Sequence, residues 1–274
     1  MNSLKRFLPL LLVFTLTPVQ ASSSQSEGTT AQIEQLLERT GFNKLLDRVP
    51  DFAQGVLKQS AGALDPEVNS AVSSVFERAF SRSNIRSDVM RTLRTHHDSR
   101  QAQAYLEILD TPLAMKMAKL ERAPNQPENR SAFQAYVHQL GNEPAPASRL
   151  ALIERLDQAN RASDFSVDIQ TSLFKAVFSA VDPIMEPEMR LGEGELERMV
   201  GEIRESLGED IRNRTQASYL YAFRDVPDSD LETYVRLCES EPHRWAIQLL
   251  GNAMISALNR AGERSALLMA EAAE

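Results

Sequence analysis

The sequence lacks most of the features that would indicate a disulfide-stapled, nucleic-acid-binding or membrane-spanning protein. Cysteine occurs once in 274 residues, so no disulfide can form within the chain. Basic residues are outnumbered, 30 against 38 acidic ones, and the formal charge of −8 argues against nucleic acid as a partner, because such binders need a basic surface. The remaining composition, 42% hydrophobic and 25% charged, is ordinary for a globular protein.

The first residues have the three parts of a secretory signal. Lys5 and Arg6 precede an apolar stretch at 7–17, and a small-residue site ends at Ala21. The apolar stretch is too short for a membrane anchor, which needs about 20 residues. We therefore expect residues 1–21 to be a signal peptide that is cleaved near Ala21–Ser22. The mature protein is then expected to be periplasmic or secreted, with no transmembrane span.

Apolar residues recur at spacings of three and four along nearly the whole chain, and convincing strand alternation is absent. This pattern predicts an all-α fold made of tandem helical-bundle repeats without a sheet. The widest apolar face lies within 165–181 and predicts that Phe174 is a core residue. The predicted organisation is a polar linker at 22–30, a first helical unit at 31–122, a linker with one short helix at 123–147, and a second helical unit at 148–270.

The two units share an ordered series of similar residues. Ile33 aligns with Ile153 at an offset of 120, and Tyr105 aligns with Tyr234 at an offset of 129. In each unit the tyrosine is followed by an acid, a hydroxyl residue and a proline. A slowly growing offset predicts a tandem duplication of about 120–130 residues.

The segment at 110–116, which reads DTPLAMK, carries a family resemblance. It resembles the turn of domain-of-unknown-function family 2059, which comprises exported bacterial all-helical proteins. Residues 92–120 are similar to the family core, and 219–250 resemble a second, divergent copy in which Glu241 interrupts the motif. Ala114 stands where the family has glycine. The resemblance implies an exported helical domain and no established activity. Its turn residues here are Asp110, Thr111, Pro112, Lys116, Ser240 and Pro242.

The best metal-binding candidate in the sequence is His96-His97-Asp98, because imidazole and carboxylate groups bind zinc or copper. Adjacent residues on a helix point about 100° apart, however, so these three cannot share one ion without a turn. We therefore favour a solvated helix end for these residues and predict no metal site.

No other motif indicates catalysis. The sequence has no Gly-x-Ser-x-Gly elbow, and the glycines within 191–195 lack the lysine of a phosphate-binding loop. Cys238 and Trp245 lie on apolar helical stripes, which favours a core role over a reactive thiol or a ligand platform. The sequence thus predicts no catalytic residue and no cofactor.

The leading hypothesis is an exported, non-catalytic accessory factor that acts through contacts with an unidentified protein partner in the envelope. Tandem helical units form concave surfaces that suit such a role. The alternative is a periplasmic hydrolase with dispersed acidic catalytic residues, although the sequence singles out no carboxylate pair. A homodimer through an exposed helix face is compatible with the first hypothesis.

Overall fold

A computed structural model of the chain describes residues 21–60, 66–182 and 190–273, and these form twelve α-helices and no strand. The predicted all-α class is confirmed. The helices are α1 Ala21–Arg39, α2 Phe42–Ser60, α3 Pro66–Ala79, α4 Arg82–Thr95, α5 Ser99–Leu109, α6 Pro112–Glu121, α7 Arg130–Asn142, α8 Ala147–Asn160, α9 Ala162–Val181, α10 Glu193–Phe223, α11 Asp228–Cys238 and α12 Glu241–Ala273.

The predicted signal peptide lies almost entirely outside the described residues, which begin at residue 21. Helix α1 begins at Ala21 and therefore includes 22–30, where the composition predicts a linker. Glu27 and Gly28 within this stretch are exposed. None of the described helices combines the length and apolarity needed to cross a bilayer.

Several helix ends follow from local sequence. Asp98 caps α5, where its carboxylate accepts hydrogen bonds from the backbone N–H groups of Arg100 at 2.9 Å and Gln101 at 3.0 Å. Gly41, at a φ of +73°, makes the left-handed turn between α1 and α2. These devices turn the chain sharply and keep consecutive helices in contact.

Two large clusters of buried side chains form the interior. The first joins α1, α2, α3 and α4 to α9 and α12, and the second joins α6 to α8, α10 and α11. The last helix of each predicted unit therefore packs into the other unit, α6 into the second and α12 into the first. The units at 31–122 and 148–270 consequently share one interior and are not separate globules.

Helix α9 buries a narrower face than its sequence predicts. Leu173, Val177 and Ala180 are almost inaccessible to solvent. Phe174 is only half-buried, with its ring 4.4 Å from that of Phe178, so the prediction that it is a core residue is wrong. The apolar stripe is wider than the groove that receives it, and the helix is rotated so that the two phenylalanines lie on its flank.

The same helix pairs meet in both halves of the chain. Helix α1 packs on α2, α4 and α5, and α8 packs on α9, α10 and α11. Arg161, at a φ of +49°, joins α8 to α9 at a position 120 residues after Gly41. The hydroxyls of Thr111 and Ser240 each donate to the carbonyl three residues earlier, at 2.8 Å and 2.6 Å. These correspondences support the tandem duplication, which stays a prediction.

A buried ion cluster links α4 to α12. Asp88 is 2% exposed and accepts a hydrogen bond of 2.6 Å from Arg264, whose guanidinium also donates to the Ala79 carbonyl at 3.1 Å. Arg260 donates to the Asp88 carbonyl oxygen at 3.2 Å. A buried carboxylate needs such partners, because its desolvation is otherwise uncompensated.

Replacing Arg264 by methionine is expected to lower the free energy of unfolding by about 3 kcal/mol, because it leaves the buried Asp88 carboxylate without its closest partner. Arg86→Met is the control, since Arg86 pairs with Glu34 at a half-exposed site and should cost no more than about 1 kcal/mol. Urea unfolding of both variants measures the difference. Equal losses would mean that the buried cluster is not a stabilising link.

Gly262 of α12 lies where that helix approaches α9 most closely. A Cβ atom at residue 262 would lie 2.9 Å from the Ala176 Cβ. Gly262→Ala is therefore expected to destabilise the protein by about 1–3 kcal/mol despite the better helix propensity of alanine. Gly208→Ala in α10, where the new Cβ meets nothing within 4 Å, is expected to stabilise it by about 0.5–1 kcal/mol. Thermal unfolding of the pair tests the close approach, and a shift of the same sign in both would contradict it.

Candidate binding cleft

A cleft of about 400 Å³ lies between α9 and α10 in the described part of the chain. On α10 the lining residues recur at helical spacing, so they share one face. Ser166 and Gln170 of α9 face them, and Glu121 and Asn125 close one end of the cleft. The α10 residues that line it are Ile211, Arg214, Thr215, Ser218 and Tyr219. Apart from Ile211, each contributes a side chain that can form a hydrogen bond.

Glu121, the last residue of α6, is the one carboxylic acid among the residues that line the cleft. The Tyr234 hydroxyl donates to its Oε1 at 3.0 Å. Burial raises the pKa of the Glu121 carboxyl to about 7, against lowering effects of the Tyr234 hydrogen bond and the Arg122 charge. No lysine, arginine or histidine forms an ion pair with Glu121 in the described part of the chain. Near neutral pH this carboxyl is thus poised between its two protonation states.

A chain of hydrogen bonds fixes the Tyr219 phenol at the cleft wall. The Asn160 side-chain amide donates to the Tyr219 oxygen at 3.0 Å, and the amide oxygen of Asn160 accepts from His243 Nε2 at 2.8 Å. Burial lowers the pKa of His243 to about 4, so the imidazole is neutral under most conditions. The Tyr105 ring meets this imidazole edge-on at 5.3 Å. Because the Tyr219 oxygen already accepts a bond, its own proton is available to a group in the cleft.

Arg214 supplies the positive charge of the cleft. Its side chain is exposed, and it forms no hydrogen bond or ion pair with any residue that the structure describes. Glu121 and Arg214 line the same cleft without pairing with each other. The cleft therefore presents one uncompensated group of each charge, separated by amides and hydroxyls.

A second depression of about 450 Å³ lies nearby between α8, α9 and α10. It is lined by the acidic residues Glu154, Asp157 and Asp164 and by Arg212. The Asp157 carboxylate accepts bonds from the Ser163 backbone N–H at 2.8 Å and from the Ser163 hydroxyl at 2.6 Å. The Asp157 carboxylate is thus hydrogen-bonded to the start of α9, so the α9–α10 cleft is the better candidate for a binding site.

The residues of the family-like turn lie at helix corners and do not line the cleft. Asp110 pairs with Arg39, and the Thr111 hydroxyl accepts from the Ala114 backbone N–H at 3.3 Å as the N-cap of α6. Pro112 begins α6, and Pro242 is the second residue of α12, after Ser240. Lys116 lies 3.5 Å from Asp230 at a site about half-exposed. The structure gives these residues capping and surface ion-pair roles and does not bring them together as one site.

The adjacent residues His96 and His97 lie in different environments. His96 is exposed, as predicted, but His97 is half-buried, and its Nε2 lies 3.0 Å from the Gln32 Oε1. The ring of His97 meets Trp245 edge-on at 6.5 Å. The solvated helix end was therefore predicted correctly for His96 only. In the described part of the chain, no three histidine, cysteine, aspartate or glutamate side chains are placed to hold a metal ion.

Cys238 and Trp245 both lie against the interior. Cys238 is 1% exposed, which confirms the predicted core role, and burial raises the pKa of its thiol well above the usual range. Trp245 is half-buried between the first cluster and a small one formed around Tyr105. Its role as a core anchor is therefore only partial.

Sequence reasoning did not find the residues of the cleft. Glu121 is one of many glutamates, and nothing in its neighbours distinguishes it. The only available signal was on α10, where polar residues at 214, 215 and 218 recur at the spacing of one helical face. That signal does not reveal a cleft until α9 and α6 are placed beside it.

No family model, curated protein or solved structure matches this chain. The resemblance to domain-of-unknown-function family 2059 therefore stays a prediction. The interpretation of the cleft depends on its own geometry and chemistry.

The raised pKa of Glu121 predicts a pH dependence of stability. The folded protein holds this proton up to about pH 7, whereas the unfolded chain releases it near 4.5. The stabilisation that protonated Glu121 gives the folded protein is thus fully present below about pH 4.5 and is lost as the pH rises through 7. Relative to Glu121→Gln, the wild-type protein is expected to lose about 2–3 kcal/mol of unfolding free energy between pH 4.5 and pH 8, because each pKa unit is worth about 1.4 kcal/mol.

Urea unfolding at a series of pH values measures this difference. Tyr234→Phe is the companion variant, because removing its hydrogen bond to ionised Glu121 should move the loss of stability to higher pH. Parallel curves for the wild-type protein and Glu121→Gln would show that the carboxyl is not desolvated.

Proposed function

We propose that this protein is an exported accessory factor that acts by binding and not by catalysis, and that the α9–α10 cleft is its binding site. The observation that carries the proposal is the lining of the cleft. Side-chain amides, hydroxyls and two unpaired charges converge there on one open volume. Concave sites with a few convergent polar groups are the usual form of ligand sites.

The chemistry of the cleft favours binding over the hydrolase alternative. A glycosidase of the common type needs two carboxyl groups about 5–10 Å apart, and Glu121 is the one acid among the lining residues. The lining serines and threonine have no histidine beside them, so no nucleophile and general base are paired in the cleft. The raised pKa of Glu121 is the one property that a general acid would share.

Export is part of the proposal and rests on the sequence. The charged residues before 7–17 and the small-residue site at Ala21 support cleavage by a signal peptidase. The mature, periplasmic form is expected to begin at Ser22. Intact-mass measurement of the protein from a periplasmic extract tests this, and retention of Met1 with the protein in the membrane fraction would contradict export.

The two-unit architecture supplies a rigid frame for such a site. Glu121 comes from the first predicted unit, and the facing helices α9 and α10 come from the second. Reciprocal packing of α6 and α12 thus positions the acid against the second unit. A homodimer through an exposed helix face is compatible with this arrangement, because the cleft is complete within one chain.

Binding in the cleft is tested by thermal unfolding of the mature protein against a panel of free amino acids, short peptides, and mono- and disaccharides. A ligand that binds only the folded state raises the melting temperature. Gln170→Trp, which places a large side chain at the exposed edge of the cleft, is expected to abolish the shift. Gln103→Trp on the exposed face of α5 is the matched control and should retain it.

Two outcomes would overturn the binding proposal. If no panel member stabilises the protein, or if Gln170→Trp retains the full shift, the cleft is not the site. If a panel member or a glycoside is cleaved, and Glu121→Gln abolishes the cleavage, the protein is the hydrolase of the alternative.

A further inference from the structure

We infer that the α9–α10 cleft binds a short peptide with both termini free, its ammonium group at Glu121 and its carboxylate at Arg214. This inference rests on the proposed binding function and adds the class of ligand. It follows from two unpaired charges of opposite sign on one cleft and from the polar groups that line the cleft with them.

Glu121 is half-buried and lacks a charged partner. Its contact is a neutral hydroxyl, that of Tyr234 at 3.0 Å, and no cationic side chain of the described residues pairs with it. Because opposite charges attract more strongly beside a partly desolvated carboxylate than in open water, a cationic group entering this end of the cleft is favoured. A primary ammonium has three donors, which can bond the carboxylate and neighbouring oxygens. The Tyr219 phenol oxygen, on the α10 wall of the cleft, is one such oxygen.

Arg214 lacks an acidic partner in the described part of the chain. The guanidinium presents five donors in a planar fork that matches a carboxylate with two parallel hydrogen bonds. Most arginines among the described residues pair with an acid, as Arg155 pairs with Glu239 at 2.8 Å. Arg214 has no such acid within the described residues, although it lines the same cleft as the Glu121 carboxyl.

The other polar groups that line the cleft suit a peptide backbone. The Asn125 and Gln170 amides each offer donors and an acceptor, and Thr215 and Ser218 add hydroxyls of either role. A peptide bond needs both a donor and an acceptor, whereas Ile211 can contact a small side chain. The volume of about 400 Å³ is at the small end of ligand sites, which limits the ligand to a few residues. A neutral saccharide would leave both charges unpaired.

Binding of an ammonium group at Glu121 requires the ionised carboxylate. Protonation of Glu121 therefore competes with the ligand, and affinity is expected to rise about tenfold between pH 5.5 and pH 7. Burial raises the pKa of each neighbouring phenol and thiol, so these groups stay neutral over this range. The titratable and charged groups near Glu121 are Tyr105 of α5, Arg122 next to α6, Tyr219 of α10, and Tyr234 and Cys238 of α11.

The test is isothermal titration of the mature protein with alanyl-alanine, its N-acetyl form and its C-terminal amide at pH 7. The free dipeptide is expected to bind at least about tenfold more tightly than either blocked form. Arg214→Met should weaken binding of the free dipeptide by the same factor and should not weaken the amide further. Glu121→Gln should weaken binding of the free dipeptide by the same factor and should not weaken binding of the N-acetyl form further. It should also remove the pH dependence of the affinity.

Arg212→Met is the matched control. Arg212 is also an exposed arginine of α10, two residues away, but it lines the second depression, so its variant should bind the free dipeptide normally. Equal affinity for all three forms, or no binding of any of them, would overturn the inference. If a saccharide from the panel above stabilises the protein and is blocked by Gln170→Trp, the proposed function stands and the peptide assignment fails. If nothing binds, both fail.

Discussion

The close packing of α12 against α9 is the contact on which the rest of this fold depends. Helix α12 crosses from the second predicted unit to the first and buries a row of small and apolar residues that includes Ala253, Ala257 and Ala261. At Gly262 the two helices come so near that a single Cβ would collide with Ala176. Small side chains permit this approach, and the approach fixes where α9 lies. The position of the α9 wall of the cleft is consequently set by the packing of α9 against α12.

Reciprocal exchange of terminal helices explains how Glu121 comes to lie half-buried without a charged partner. Helix α6 leaves the first unit and packs among α8, α10 and α11, which carries Glu121 to the edge of an apolar cluster. There its partner is the Tyr234 hydroxyl and not an arginine. By contrast, Asp88 on α4 meets Arg264 of α12 through the opposite exchange and is fully compensated. The buried Asp88 and the half-buried Glu121 are thus placed differently by one architecture, and Glu121 faces the open cleft.

Element types followed from local sequence, because spacing and capping act within a few residues. Thr111 and Gly41 begin and end helices for reasons that are visible in the sequence, and the buried position of Cys238 follows from its helical stripe. The predicted burial of Phe174 was wrong because the apolar stripe is wider than the groove that receives it. The predicted exposure of His97 was wrong because a distant helix covers this residue. Trp245 of α12 lies beside His97 of the α4–α5 turn, and no local pattern predicts that approach.

The sequence by itself determined that this chain is all-helical and that Cys238 is a core residue. These properties depend on hydrogen bonding and periodicity over distances of one or two turns. Only the tertiary structure decided that α6 and α12 exchange between the halves, that Glu121 is desolvated, and that Arg214 lies on the same cleft without pairing with it. Those facts depend on which surfaces of separate helices meet, and a carboxyl acquires a raised pKa from the side chains around it and not from its neighbours along the chain.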